Sequence, residues 1–485
     1  MNRASDAESL RTKALRGGVY LTVRHGVMVV LGLLGALLLT RIVGPANYGL
    51  FNSAAGIYGY LLAIGKMGVH IYLVRERRDA PLELFHQAFW WLLGFGTLLA
   101  IGVGVLTAVL GHYWVRAEGF IPMTLSLTAL LPLALVSAVP LALLERELDY
   151  RKTTVVEIGS QVSFYLAAIP LAWSGFGAWA MVAGFWLSQG VSAAGFFAAS
   201  RYRPRQYWNR SELRPMLRYG FSVALSDWIL QVQNLVPSLL LLPMAGSEAV
   251  GYVALTQRFI NMLAFVRDTA SRLSVPAFAH VQQNSERLIN AIREVMQLQT
   301  LALGTLFAVF TATAHLILPH LLGQQWDISL LLMIFSIAAV RALLSALFSI
   351  QSSALLVKKQ TTLILKANTI YAVLLFVLTY IGLLVSPQEY KLLVFNWADL
   401  IAILPGYWLR HFGVQRHIGR LRYGATLYWT GGMTAALLAP WLGWWLYLLA
   451  AALLVQPISL RQMHELYLSI RETRSKSSEL TGGNK

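Results

Sequence analysis

Residues 17–49 read GGVYLTVRHGVMVVLGLLGALLLTRIVGPANYG, and the fold class follows from this stretch. From Gly17 to Arg41 it is an apolar run of about 24 residues. As an α-helix rising about 1.5 Å per residue, such a run crosses a hydrocarbon core of roughly 30 Å. A polar stretch, Met1 to Arg16, precedes it. The run is too long for the apolar core of a signal peptide and lacks a small-x-small cleavage site, so it reads as a retained first helix. It ends at Val43-Gly44-Pro45-Ala46-Asn47-Tyr48-Gly49, a short connector with glycines where a tight turn needs unusual backbone angles.

Working outward, apolar runs of this length recur to the C-terminus, divided by charged or Gly/Pro-rich connectors. About fourteen such spans can be laid along the 485 residues. The last two meet at Pro440-Trp441 as a tight hairpin. The chain is 57% hydrophobic and 13% charged, with a mean hydropathy of +0.58. A soluble chain carries charge at about a quarter of its positions. The expected fold class is therefore an all-α polytopic membrane protein.

The net charge of +17 would point to nucleic acid in a soluble protein. Here the basic residues lie in short connectors, which is the positive-inside pattern, and no nucleic-acid partner is expected. With the N-terminus in the cytoplasm and sides alternating, most of the 39 Lys and Arg fall on the cytoplasmic side. They cluster at Arg75 to Arg78, Arg146 to Lys152, Arg201 to Arg218, Lys358-Lys359, Arg410 to Arg422 and after Arg461. Only Arg116 and Lys391 fall in outward connectors. Both termini are thus expected in the cytoplasm. Outward connectors are all short, about ten residues or fewer, so there is no large external loop for a glycan polymerase or ligase to work with. Cysteine is absent, which excludes disulfides and thiolate sites and leaves the redox compartment open.

The chain also repeats itself. A shift of 202 residues lays Gly18 on Gly220, Gly44 on Gly246 and Gly49 on Gly251. The first connector then corresponds to Ala245-Gly246-Ser247-Glu248-Ala249-Val250-Gly251. The repeat has even parity, so both halves share one orientation, as two bundles about an axis along the membrane normal. The expected organisation is a segment 1–16, an N-lobe 17–200 and a basic linker 201–216. A C-lobe 217–410, a terminal pair 411–460 and a cytoplasmic tail 461–485 follow.

Polar residues inside spans are costly and face a bundle interior or a watery cavity. Asp227, Gln231, Asn234 and Ser238 share one helical face at i, i+4, i+7 and i+11. Asn52, Gly56, Gly59, Ala63, Lys66 and His70 share another. Further spans carry Tyr20, Arg24 and His25, then Gln257, Arg258 and Asn261 with Arg267 and Asp268 lower down. Arg341 leads a stripe of Ser345, Ser349 and Ser352, and Asn396 accompanies Asp399. The plain reading is interhelical glue; Glu157, Lys366 and Arg267 near span ends read as snorkelling side chains. The functional reading is a cavity wall. Its candidate cations are Arg24, Lys66, Arg258 and Arg341, and its candidate polar groups are Asn52, Gln231, Asn234, Gln257 and Asn261. The cations outnumber Asp227 and Asp399, the only acids placed well inside spans. A surplus of positive charge suits an anionic substrate, and Arg grips phosphate bidentately. Asp227, Asp399 and His25 are the candidates for H⁺ or Na⁺ coupling.

Enzyme motifs fail. Gly59 to Lys66 has one residue too many for a P-loop and Met67 where Ser or Thr is needed, and Leu468 stands where a zincin helix needs its second His after His464-Glu465. There is no nucleophile elbow or dinucleotide turn. Arg201-Tyr-Arg-Pro-Arg-Gln-Tyr-Trp208 reads as an interfacial anchor for anionic lipid headgroups. No enzyme, metal or cofactor is expected.

Thr40-Arg41-Ile42-Val43-Gly44-Pro45-Ala46-Asn47-Tyr48-Gly49-Leu50-Phe51 resembles the helix 1–2 connector of bacterial polysaccharide flippases, within the multidrug/oligosaccharidyl-lipid/polysaccharide exporter superfamily. Gly175-Phe176-Gly177-Ala178-Trp179 and the Leu144 to Arg151 segment resemble it too. The likeness runs over about residues 15–410 and matches the terminal pair in number only. It implies two lobes of six helices each plus that pair, and alternating access around a central cavity. It also implies transfer of undecaprenyl-diphosphate-linked oligosaccharide, for O-antigen, capsule or exopolysaccharide, from the inner to the outer leaflet of the bacterial cytoplasmic membrane. A glycan polymerase and a chain-length regulator are the protein partners it suggests. Lipid II flippases carry an Arg-Asp pair after the connector glycine, where this chain has Pro-Ala-Asn. Cation-coupled drug exporters favour acidic cavities, whereas this one leans basic.

Overall fold

A computed structural model describes residues 2–76, 81–115 and 117–464. Arg77, Arg78, Arg116 and the tail after His464, with the side chains of Tyr20, His25 and Asp268, lie outside the described residues. Helices joined by short turns and connectors make up the described residues, with no strand among them.

The first helix, α1 (Asn2–Lys66), is interrupted where the sequence places the connector: Gly44 sits at φ 74°, ψ 172°, and Pro45 follows. A side chain is disfavoured at that φ, so glycine is what allows the chain to turn there. Met67 and Gly68, both left-handed, end α1 and admit α2 (Val69–Arg75). Then come α3 (Leu82–Trp114), α4 (Phe120–Thr128), α5 (Leu131–Val136), α6 (Ala138–Arg146), α7 (Tyr150–Trp173), α8 (Ala178–Ser200) and α9 (Arg210–Gln231). Asp149 caps α7 by accepting from the Lys152 N–H, and Asn209 caps α9 by accepting from Ser211.

After α9 the helix does not run straight on. A 3-10 turn (Val232–Asn234) and a π turn (Pro237–Leu241) intervene before α10 (Leu242–Ala245). Pro237 supplies no N–H, and its ring crowds the preceding turn, which accounts for the wider winding. Next are α11 (Ser247–Leu263), α12 (Phe265–Val281), α13 (Ser285–Leu322), α14 (Ile328–Val357), α15 (Thr361–Val385), α16 (Lys391–His417), α17 (Ala425–Leu442) and α18 (Trp445–Leu454).

Ten helices among the described residues are long and apolar enough to span a membrane, or twelve if each of two bent pairs is one span. The apolar runs of the sequence suggest about fourteen, and the difference has local causes. Gly26–Lys66 counts as a single stretch of 41 residues in spite of its turn at Gly44. That is roughly 60 Å as a helix, twice the needed length. The α17 helix is only 18 residues long, and Thr426, Trp429, Thr430 and two glycines dilute its apolar character.

The chain divides into two compact units. The first contains Met1–Ala254, Leu321–Trp326 and Phe376–Phe395; the second contains Leu255–His320, Asp327–Leu375 and Asn396–Lys485. In the first unit Val69, Leu73, Phe85, Leu92, Leu135, Val139 and Met216 form a buried cluster joining α2, α3, α5, α6 and α9. In the second, Phe278, Leu288, Ile292, Leu347, Ile350, Val414 and Ile418 do the same for α12, α13, α14 and α16. The α17–α18 hairpin closes on Ala435, Ala436, Ala439 and Ala450, small side chains that let helices approach where no water drives them together.

Candidate functional site

In the first unit, α1 carries Arg24 against α7, where Arg24 Nη1 lies 2.6 Å from Glu157 Oε2. Both side chains keep about a quarter of their surface open, 29% and 27%. The Coulomb attraction of such a pair offsets part of the cost of taking each charge out of water. At the end of α1, Lys66 is exposed and has no ion pair among the described residues. Glu145 of α6 acts on it electrostatically. That carboxylate is bonded to His70 Nε2 at 2.9 Å, while His70 Nδ1 faces the Ala138 carbonyl at 3.3 Å. Here Arg24 and Lys66 are matched by Glu145 and Glu157.

Sequence position alone makes Glu157 a snorkelling residue and gives Glu145 no site. The acids inside helices are therefore more numerous than Asp227 and Asp399. No periodicity could have paired Arg24 with Glu157, because the two lie on helices far apart in sequence.

In the second unit, Arg341 of α14 and Asp399 of α16 form an ion pair, Nε to Oδ2 3.1 Å, with 15% and 7% of the side chains exposed. Tyr371 of α15 closes the triangle: its hydroxyl donates to Asp399 Oδ1 at 2.8 Å and accepts from Arg341 Nη2 at 3.1 Å. Further along α16, Arg410 donates to the buried Asn368 Oδ1 at 2.5 Å and stacks over the Tyr407 ring. Arg341 is thus paired with a carboxylate, whereas Arg410 is held by an amide and a ring. The sequence reading puts Arg410 at the start of a basic connector, whereas α16 carries it inside the helix. The run Tyr407, Arg410, Val414 at helical spacing is the available signal.

Of the other candidates, Asn52 donates to the Tyr48 carbonyl of its own helix at 2.7 Å. Asn234 donates to Gln231 Oε1. Gln257 and Arg258 are half-buried on α11, and Asn261 is exposed one turn on. Ser349 and Ser352 bond to carbonyls of α14 itself. Asp227 is exposed and has no hydrogen bond or ion pair among the described residues. Along the expected face, Asp227 and Asn234 are exposed, Gln231 is half-buried and Ser238 is buried. The 3-10 and π turns interrupt this stretch, and Ser238 is buried and donates to the Ser53 carbonyl of α1 at 2.8 Å. Arg24 and Lys66 belong to the first unit, and Arg258 and Arg341 to the second. The His25 side chain lies outside the described residues.

Between α6 and α7, outside the spans, burial raises the Asp149 carboxyl. The hydrogen bonds and charge of Lys152, with Arg151, outweigh that and hold it below the usual carboxylate range.

Comparison with known proteins supplies the context. The profile of the family described as "Polysaccharide biosynthesis protein" matches residues 38–331, more than half of the chain. The chain is 26% identical over 290 residues to the succinoglycan biosynthesis transport protein ExoT of Rhizobium meliloti (strain 1021), covering 60% of this chain and 58% of that protein. It is 20% identical over 323 residues to the lipopolysaccharide biosynthesis protein WzxC of Escherichia coli (strain K12), covering 66% and 65%. The matched stretches thus span less than two thirds of either relative's length. Among solved structures, the lipid II flippase MurJ in an inward closed conformation superposes with a TM-score of 0.69 at 12% identity, over 93% of this chain and 99% of that one. That likeness is one of fold.

Proposed function

The chain belongs to the polysaccharide biosynthesis protein family, and from that premise we propose that it flips undecaprenyl-diphosphate-linked oligosaccharide repeat units from the inner to the outer leaflet of the bacterial cytoplasmic membrane. The product would feed O-antigen, capsule or exopolysaccharide assembly. The observation that carries this reading is the family match over residues 38–331, joined to relatives named for exopolysaccharide transport and lipopolysaccharide synthesis. The guanidinium clusters support it. A diphosphate needs planar, charged donors held in place, and Arg24, Arg341 and Arg410 are each anchored at one side by a carboxylate or amide.

The finer architecture belongs to the same proposal. Counting Gly26–Lys66 as two crossings and α17 as one, with each bent pair as one, gives about fourteen crossings. These form two lobes of six and a terminal pair, with both termini cytoplasmic and alternating access between lobes. Coupling to H⁺ or Na⁺ runs through a carboxylate, and a glycan polymerase and chain-length regulator act alongside. Lipid II is disfavoured as substrate by Pro45-Ala46-Asn47 in the connector.

The test is reconstitution into liposomes, with transfer of fluorescent undecaprenyl-diphosphate oligosaccharide, lipid II and a cationic dye measured side by side. Transfer of the first alone is expected. Transfer of the dye or of lipid II in its place would overturn the reading.

A further inference from the structure

Three short segments of the first unit meet at one place: Gly44–Gly49 within α1, Gly246–Gly251 at the start of α11, and Leu321–Trp326 where α13 gives way to α14. The first two are related by the internal repeat, and their backbones match. Gly44 has φ 74°, ψ 172°; Gly246 has φ 92°, ψ 170°. They also press on each other reciprocally. A Cβ on Gly49 would overlap the Ser247 carbonyl, and one on Gly251 would overlap the Pro45 carbonyl. Only glycine permits so close an approach of backbones.

Trp326 closes the junction. It is 3% exposed, and its indole Nε1 donates to the Thr40 carbonyl at 3.0 Å. Its ring meets Tyr48 and Tyr252 edge-on, with centroids 6.3 and 5.1 Å away. Gln325 reaches to Gly44 beside it. None of the three segments carries Lys or Arg, which sets them opposite the basic connectors under the positive-inside rule. Ring edges, one indole hydrogen bond and backbone contact join the segments, and the Arg41 side chain lies beside Gly323. Ring edges and backbone packing of this kind are specific in shape.

We propose that Trp326 is the pin of an outward seal, which parts when the glycan headgroup is released and re-forms on return. The direction rests on the flippase reading; the seal itself does not. The chain contains no cysteine, so thiols can be introduced directly.

A single cysteine replacing Ala249, which is 1% exposed, should react slowly with a membrane-impermeant maleimide. Trp326→Ala should raise its labelling about tenfold or more, and Trp326→Phe, which keeps a ring but loses the hydrogen bond, should fall between. Unchanged labelling in Trp326→Ala overturns the seal, whatever the protein transports. In a second experiment, Ala46→Cys and Ser247→Cys are bridged by a short reducible bis-methanethiosulfonate. Bridged protein should stop flipping lipid-linked oligosaccharide, and reductant should restore it. Flipping at an unaltered rate while bridged overturns the opening step. If the unbridged variant does not flip but labelling responds to Trp326, the seal stands and the flippase reading has failed.

Discussion

Arg341 and Asp399 sit 3.1 Å apart inside helices of the second unit, and the Tyr371 hydroxyl bridges them. Buried pairs of this kind contribute little net stability but are costly to break from one side. Asp399→Asn leaves Arg341 charged and without its carboxylate, and should destabilise the protein by about 3–5 kcal/mol. The double variant Arg341→Met, Asp399→Leu should recover most of that loss in thermal unfolding in detergent. A single variant as stable as the native chain would mean that the charges are solvated rather than paired.

Arg24 and Glu157 pose a different question, because both remain partly open. If Arg24 holds a diphosphate, Arg24→Ala should cut flipping by about a hundredfold while Arg24→Lys recovers only part, since a point charge does not reproduce the planar fork. Glu157→Gln should then keep activity, because it frees the guanidinium for its ligand. Equal losses in Arg24→Ala and Glu157→Gln, accompanied by equal drops in unfolding temperature, would make the pair a packing element.

The glycines of the repeat separate two kinds of constraint. Gly44→Ala and Gly246→Ala impose a side chain at positive φ and extended ψ, costing about 1–3 kcal/mol each, and at Gly44 the new Cβ also meets the Gln325 side chain. Gly49→Ala and Gly251→Ala force backbone apart and should be worse, with little folded protein recovered. A Cβ added at Gly59 would meet nothing within 4 Å, so Gly59→Ala should be neutral or stabilising by about 0.5–1 kcal/mol. Expression and monodispersity by size-exclusion chromatography rank the five.

Those same glycines show what can be read in advance. The connector and its repeat are legible because Gly44 and Gly246 both take a backbone conformation that favours glycine, and the 202-residue shift aligns one with the other. Arg341 and Asp399 are both legible as in-span charges, but nothing in either helix reveals that they face each other. Pairing across helices depends on tertiary packing, which also supplies the partners Glu157, Tyr371 and Asn368. The stripe after Asp227 is harder to read for a local reason: a 3-10 and a π turn interrupt the helix, so the regular 3.6-residue period does not hold through it. Trp326 carries no signal, as an aromatic residue in a short connector reads as an interfacial anchor.

Asp149 gives a pH prediction outside the membrane. Its folded carboxyl is held below its ordinary value, about 3.9, chiefly by Lys152 against the opposing effect of burial. A depressed carboxylate contributes stability above the unfolded pKa and loses it as pH falls through the folded value. Asp149→Asn should therefore be less stable than the native chain at pH 6. The gap should narrow as pH drops below 4 and close once native Asp149 is itself protonated. Unfolding curves collected across that range provide the check; a gap independent of pH would assign the effect to the lost cap alone.

The two candidate coupling carboxylates differ in what surrounds them. Asp399 accepts from Tyr371 and pairs with Arg341, so taking up a cation there would first have to displace a guanidinium. Asp227 is exposed and unbonded among the described residues, on the last turns of α9 just before the helix changes its winding. A cation arriving at Asp227 has no guanidinium partner to displace among the described residues, and irregular turns follow it. Of the two, Asp227 is thus the better placed for the proposed binding of H⁺ or Na⁺. Asp227→Asn should leave folded yield within a factor of about two and abolish the dependence of flipping on an imposed ion gradient, whereas Asp399→Asn should chiefly lower folded yield. Proteoliposomes with pH and Na⁺ gradients applied separately distinguish the ions. Wild-type gradient dependence in Asp227→Asn would remove this carboxylate from the coupling step.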